Sequence, residues 1–170
     1  MRKADVVVTR LACVLVLASV VAPVTRAATA EETLLLTPFG YLDTSGEPRD
    51  QTAEHARRLA AMETQIKDSL QAKGLFRIVA PPQGAPPCPQ GESDCILEQA
   101  RNAGAKLVLA GAVQKASTME SNVWMGVFEA GDGKRVFFRQ ATFRGDTDDA
   151  WRHAAAFLSR EITDHPPAGQ

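Results

Sequence analysis

The sequence predicts an α/β domain: one mixed sheet of about five strands with three helices, in the order β-α-β-α-β-β-β-α. Three observations predict it. Residues 105–117, AKLVLAGAVQKAS, open with the apolar run Leu107, Val108, Leu109, Ala110, the pattern of a central strand covered on both faces. Before that run, strand and helix patterns alternate, as they do where helical crossovers join parallel strands. After it, strand patterns follow one another through short turns, which adds antiparallel partners.

The first thirty residues read as a signal peptide rather than as part of the fold. Arg2, Lys3 and Arg10 form a basic start, and the apolar stretch at 11–24 is too short to span a bilayer comfortably. Small residues place the cleavage site after Ala30 or after Ala27. Cys13 lies inside the apolar stretch, which does not fit a lipid-attachment cysteine. The expected organisation is a signal peptide over 1–30, a single α/β domain over 31–165 and a loose tail over 166–170.

Residues 33–42, TLLLTPFGYL, predict the first strand, with Pro38 where no ladder donor is needed. The polar loop 43–50 follows, rich in turn formers. Over 51–73 the period becomes helical, and Leu59, Met62, Ile66 and Leu70 form one apolar stripe. Burying those four side chains contributes roughly 6–12 kcal/mol before chain entropy is subtracted. Arg57, Arg58, Lys67 and Gln71 fall mostly off the stripe, and Gly74 stops the helix.

LFRIVA, at 75–80, predicts the second strand, and a proline-rich loop runs from Pro81 to Pro89. Ser93 or Asp94 can cap a short helix over 95–103, with Ile96, Leu97 and Ala100 on one face and Gly104 at its end. The central strand starts next and loosens to Gln114, Lys115 and Ser117, as though emerging from cover. Val123, Met125 and Val127 alternate with Trp124, Gly126 and Phe128, so both faces of the following strand carry apolar groups. Gly131-Asp132-Gly133 predicts a hairpin turn into a strand over 136–143. Asp146 or Thr147 caps the last helix, and Asp148 and Asp149 suit the positive end of its dipole. Its inward stripe is Trp151, Ala154 or Ala155, Leu158 and Ile162, and Pro166 and Pro167 end it.

Charge and cysteine content narrow the function classes. The chain holds 19 Lys and Arg and 20 Asp and Glu. The leader accounts for Arg2, Lys3, Arg10, Arg26 and Asp5, which leaves 15 basic and 19 acidic side chains and a net charge of −4. That balance argues against nucleic acid or an anionic membrane surface as the main partner. No second apolar span follows the leader, so no stable membrane span is expected after cleavage. Cys88 and Cys95 remain, and an exported chain with an even count favours a disulfide between them. A metal site lacks ligands, and the spacing is not that of a thiol oxidoreductase.

Motif by motif, catalysis finds no support. Gly131-Asp132-Gly133-Lys134 lacks the upstream glycine and the Ser/Thr of a phosphate loop. Asp146-Thr147-Asp148-Asp149 departs from a calcium loop at Ala150, and helix capping is the better account. Arg144-Gly145-Asp146 matches the adhesion tripeptide, a frequent chance occurrence. His55, His153 and His165 are scattered and read as surface residues, and Trp124 and Trp151 as packing groups. No catalytic residue, metal or cofactor is expected. One ligand-binding rim is conceivable. Loop 43–50 follows the first strand, and ligands in open α/β sheets favour strand carboxyl ends. If the first and central strands are neighbours, Asp43, Thr44, Glu47 and Lys115 line one edge; ordinary loop solvation is the alternative.

The segments FGYLDTSGEP, AEHARRLAAMETQIKDSL, GAKLVLAGAVQKAS and RGDTDDAWRHAAAFL resemble an uncharacterised family of exported bacterial proteins, a domain of unknown function. The resemblance spans nearly all of the mature chain, is most specific in GAVQKAS and RGDTDDAW, and implies a periplasmic location. One departure is the wider spacing of Cys88 and Cys95 compared with the family's closer pair. More distantly, the strand–helix order is similar to that of the amino-terminal domain of TolB and of CsgG-type periplasmic domains, which are assembly and interaction modules. The expected function is a non-enzymatic periplasmic accessory protein that binds another envelope protein through an exposed sheet edge or loop 43–50. A small-ligand carrier or sensor is the alternative, and an enzyme acting through Cys88 and Cys95 ranks below both.

Overall fold

The computed structural model describes residues 31–89 and 92–167. The expected leader over 1–30 and the last three residues of the expected tail lie outside them. Six strands and three helices follow in order: β1 (Glu32–Leu36), β2 (Gly40–Asp43), α1 (Thr52–Ala72), β3 (Phe76–Val79), α2 (Ser93–Asn102), β4 (Leu107–Lys115), β5 (Glu120–Glu129), β6 (Arg135–Arg144) and α3 (Asp148–Asp164). The fold is α/β, and the sheet runs β3-β1-β4-β5-β6, with β2 also paired to β4. β1 is parallel to β3 and β4, and β5 and β6 are antiparallel. β4 sits at the centre.

The sixth strand comes from a break in the predicted first one. β1 pairs with the start of β4 and β2 with its end, in one direction. Between them Pro38 has no N–H to give. The Phe39 N–H instead donates to Glu63 Oε1 of α1 at 2.7 Å. Phe39 folds its ring over Gly111 of β4, where a Cβ would lie 2.5 Å from the ring. The break therefore inserts an aromatic plug into the core.

β4 is buried on both faces at its start. Leu107 and Leu109 join the cluster under α1 and α3, with Leu34, Met62, Ile66, Leu70, Met125, Leu158 and Ile162. Val108 joins the opposite cluster under α2, with Leu35, Ala100, Ala105 and Ala130. Ile96 and Leu97 of α2 pack there half-buried. This helix starts earlier than predicted, at Ser93, and its N-cap Glu92 makes no side-chain cap bond. The Cys88–Cys95 disulfide, with S–S 2.03 Å, ties the proline-rich loop to its first turn. Arg101 Nη1 donates to Ala130 O at 2.9 Å and fixes α2 to the β5–β6 hairpin.

α1 and α3 close as predicted. Gly74 follows α1 at φ +63°, the left-handed geometry glycine adopts at no steric cost. Thr147 is the N-cap of α3 and accepts from the Ala150 N–H at 3.2 Å. Pro166 is exposed and Pro167 is buried. Among the described residues no helix is long and apolar enough to cross a membrane.

Candidate functional site

Where the apolar cluster ends, at the C-terminal tips of β2 and β4, a polar cluster replaces it. The register sets Asp43 beside Lys115. The Thr44 N–H donates to Lys115 O at 2.9 Å, the Thr44 hydroxyl does so at 3.1 Å, and Gln114 Nε2 donates to the Thr44 hydroxyl at 3.1 Å. Asp43 then organises the loop: its Oδ1 accepts from the Ser45 N–H at 2.9 Å and the Ser45 hydroxyl at 2.6 Å. Gly46, at φ +71°, turns the chain back so that Glu47 reaches Lys115. Asp43, Thr44, Glu47 and Lys115 are thus neighbours, as expected of a rim if the strands are adjacent. Asp43 and Thr44 are exposed, Glu47 is half-buried, and Lys115 is 1% exposed.

That burial corrects the expectation that β4 emerges from cover at Lys115; Gln114, on the other face, is half-buried. The Lys115 ammonium donates to Glu47 Oε2 at 2.8 Å and to Gln51 Oε1, and it lies 3.3 Å from Asp146 Oδ2. Two hydrogen bonds and one ion pair thus hold an ammonium that solvent does not reach. Burial pulls its pKa down, but the hydrogen bonds and charges of Glu47 and Asp146 outweigh that and hold it above the ordinary lysine value.

Asp146 is the second hub. Its Oδ2 also receives His55 Nε2 at 2.8 Å, and its Oδ1 receives Arg58 Nη1 at 2.7 Å and Trp151 Nε1 at 3.3 Å. Burial pushes this carboxyl up, yet the hydrogen bond and charge of His55, with Lys115 and Arg58, leave it below the usual range. Arg58 reaches on to Asp148 Oδ1 at 2.8 Å, where Arg57 also donates at 2.8 Å. Those two guanidinium bonds pull the exposed Asp148 down to about 2. Tyr41 stacks on His55 at 4.9 Å between ring centroids, and Phe143 meets Trp151 edge-on at 5.6 Å. The Tyr41 hydroxyl is buried without a hydrogen-bond partner among the described residues. Its pKa is raised by that burial and by the negative charges of Asp43 and Asp146.

His55 and Asp146 depart from the sequence reading. His55 was expected at the surface with His153 and His165; those two are exposed, but His55 is 1% exposed. Of the two expected caps of α3, Asp146 or Thr147, Thr147 takes the role, and Asp146 turns into the cluster instead. The signal for His55 and Arg58 lay in the helical spacing: they stand seven and four residues before Met62, on the same stripe. Leu59, placed on that stripe by sequence, is only half-buried. The adhesion tripeptide ends in this cluster, with the Asp146 side chain 14% exposed and both its oxygens occupied.

Chemically the cluster is a closed lock. Both Asp146 oxygens are occupied from within, and the Lys115 ammonium is buried against Glu47, Gln51 and Asp146. Among the described residues no group of three or more His, Cys, Asp or Glu is placed to hold a metal. A shallow depression lies elsewhere, along the solvent side of α1 at Ala60, Ala61, Thr64, Gln65, Asp68 and Ser69.

On the other face of the sheet, cover by α2 is confined to one end. α2 covers the part built from Leu35, Val108 and Ala130. Beyond it, register places Ala110, Gly126 and Phe138 in one row, Ala112, Trp124 and Gln140 in the next, and Leu42, Gln114, Asn122 and Thr142 in the last. Phe138 is 39% exposed, Leu42 is 57% exposed, and Trp124 and Phe128 are half-buried. Phe128 lies over Gly126, where a Cβ would stand 2.8 Å from its ring.

The family model described as "Protein of unknown function (DUF2380)", DUF3280, matches residues 32–162. The chain belongs to this family. No curated protein matches it. Among solved structures, it is similar to lipoprotein GNA1162 from Neisseria meningitidis, at 10% identity over 78% of this chain and 99% of that one, with a TM-score of 0.50. The LpoB C-terminal domain from Salmonella enterica matches at 17% identity over 69% and 85%, with a TM-score of 0.45. TolB from Acinetobacter baumannii matches at 13% identity and a TM-score of 0.46, and this chain spans only 27% of it. At these identities the likenesses concern the fold alone.

Proposed function

We propose that this family member is a non-enzymatic accessory protein of the bacterial envelope, resident in the periplasm, that works by binding another envelope protein. The observation that carries the reading is the partly covered sheet face. Trp124, Phe128 and Phe138 lie on this face in adjoining rows of β5 and β6, with Leu42 on β2, beyond the cluster that α2 covers. Contiguous apolar patches of this kind mark interaction sites, and aromatic groups anchor them. The polar cluster supports the same reading, because both Asp146 oxygens and the buried Lys115 ammonium are engaged from within. The envelope location rests on the leader pattern of residues 1–30, and it fits the naming of the Neisseria protein as a lipoprotein.

Mild crosslinking in periplasmic extract tests this with two chains side by side, the native one and Trp124→Glu/Phe138→Glu. The native chain is expected to capture one partner stoichiometrically, and the variant, with an unchanged circular dichroism spectrum, is expected to lose it. No capture by the native chain, or equal capture by both, removes the reading.

A further inference from the structure

The sheet has two outer edges, and they differ. β3 offers four residues, Phe76–Val79, and Pro81-Pro82 follows closely. Short strands and prolines are how proteins blunt an edge. β6 offers ten, Arg135–Arg144, without a proline or glycine, and among the described residues no strand pairs with its outer side. Ten unpaired residues are a template for strand addition.

Charge says what fits there. β6 carries Arg135, Arg139 and Arg144 and no acidic residue. Arg139 is spent on Glu161 of α3, with Nε–Oε2 2.7 Å. Arg135 and Arg144 have no ion-pair partner among the described residues. Both stand on the open-face side. Arg144 alternates in step with Phe138, Gln140 and Thr142, and Arg135 lies 4.9 Å over the Phe138 ring, carried there by the irregularity between Val127 and Phe128. Nine residue steps at the usual rise set the two arginines about 30 Å apart along the edge.

A second copy of this chain is a poor occupant. Two β6 strands paired antiparallel about the strand centre bring Arg135 opposite Arg144 at both ends, and like charges directly opposed destabilise a ladder. We infer that the outer edge of β6 receives an extended segment of another protein, laid down as an added strand. That segment carries a carboxylate near each end and apolar side chains at alternate positions between them, continuing the Trp124–Phe138 patch. This rests on the partner-binding reading and names the partner's chemistry.

The test selects binders from a displayed library of random twelve-residue peptides, once on the native full chain and once on Arg135→Glu/Arg144→Glu. The native chain is expected to enrich peptides with acidic residues eight to ten positions apart around alternating apolar ones. A synthesised winner should slow amide hydrogen exchange along β6 and bind the charge-reversed chain about tenfold or more weakly. Enrichment of peptides lacking the acidic ends, no enrichment, or undiminished binding by the charge-reversed chain overturns the inference. Protection that falls on β5 and β4 instead overturns the edge while leaving partner binding through the open face intact. The crosslinking of the Trp124→Glu/Phe138→Glu chain judges that face separately.

Discussion

On one face of the sheet, α1 and α3 lie side by side over Leu34, Leu109, Val123 and Met125, and where the apolar surface gives out, Lys115 and Asp146 close it with a buried polar cluster. On the other face, the ten residues of α2 cover Leu35, Val108 and Ala130 and stop, and Trp124, Phe128, Phe138 and Leu42 are left to solvent. The contrast separates scaffold from surface. Groups locked in mutual hydrogen bonds cannot meet a partner without breaking those bonds. Aromatic groups left half-covered lose little by meeting one.

The largest expected effect comes from breaking the lock. Asp146→Ala leaves His55 Nε2 and the Trp151 indole without their partner and takes one partner each from Arg58 and Lys115. Removing one partner of a buried ion pair costs about 3–5 kcal/mol, here divided between two unpaired donors and the weakened pairing of Arg58 and Lys115. Urea denaturation should report a loss of that size. A loss below about 1 kcal/mol would show that water reaches the cluster and that the face is not sealed there.

Acid sharpens the same point with a smaller effect. Burial pushes the Asp146 carboxyl up, and His55, Lys115 and Arg58 more than offset that, so its folded value lies below its unfolded one. Its contribution is therefore complete above the unfolded value of about 4 and is lost as pH falls through the folded value. The urea midpoint should drop below about pH 4 in the native chain and flatten in Asp146→Asn. Parallel pH profiles for the two chains would assign the acid sensitivity to other carboxyls.

How much of this was legible in the sequence follows from the same contrast. The apolar periods of residues 52–72, 107–115 and 148–164 expose α1, β4 and α3 directly, because burial of apolar side chains leaves a period in the chain. The break at Pro38 hid as a strand irregularity, since nothing local tells that Glu63, far along the chain, takes the Phe39 N–H. The polar cluster hid more fully. Its members come from loop 43–50, α1, β4 and the turn before α3, and a charged residue at the mouth of a stripe reads as solvated unless its distant partners are known. His55 and Arg58 kept helical register with Met62, yet residue type overrode spacing. β5 was read as apolar on both sides, but the short reach of α2 is a matter of tertiary placement.

The smallest expected effect lies on that open face and is the most discriminating. Phe138→Thr replaces a 39% exposed ring on an edge strand by a residue that keeps β-propensity. Surface substitutions of this kind change stability by no more than about 0.5 kcal/mol. On the covered face, Met125→Ala one strand away should cost about 2–5 kcal/mol, because Met125 is fully buried and its removal leaves a cavity. Denaturation of the two variants against the native chain gives the ratio. If Phe138→Thr proves as costly as Met125→Ala, the ring is structural and the open face is a second core lacking its lid. A near-neutral Phe138→Thr leaves the ring free for a partner, since a side chain that does nothing for folding can be spent on binding.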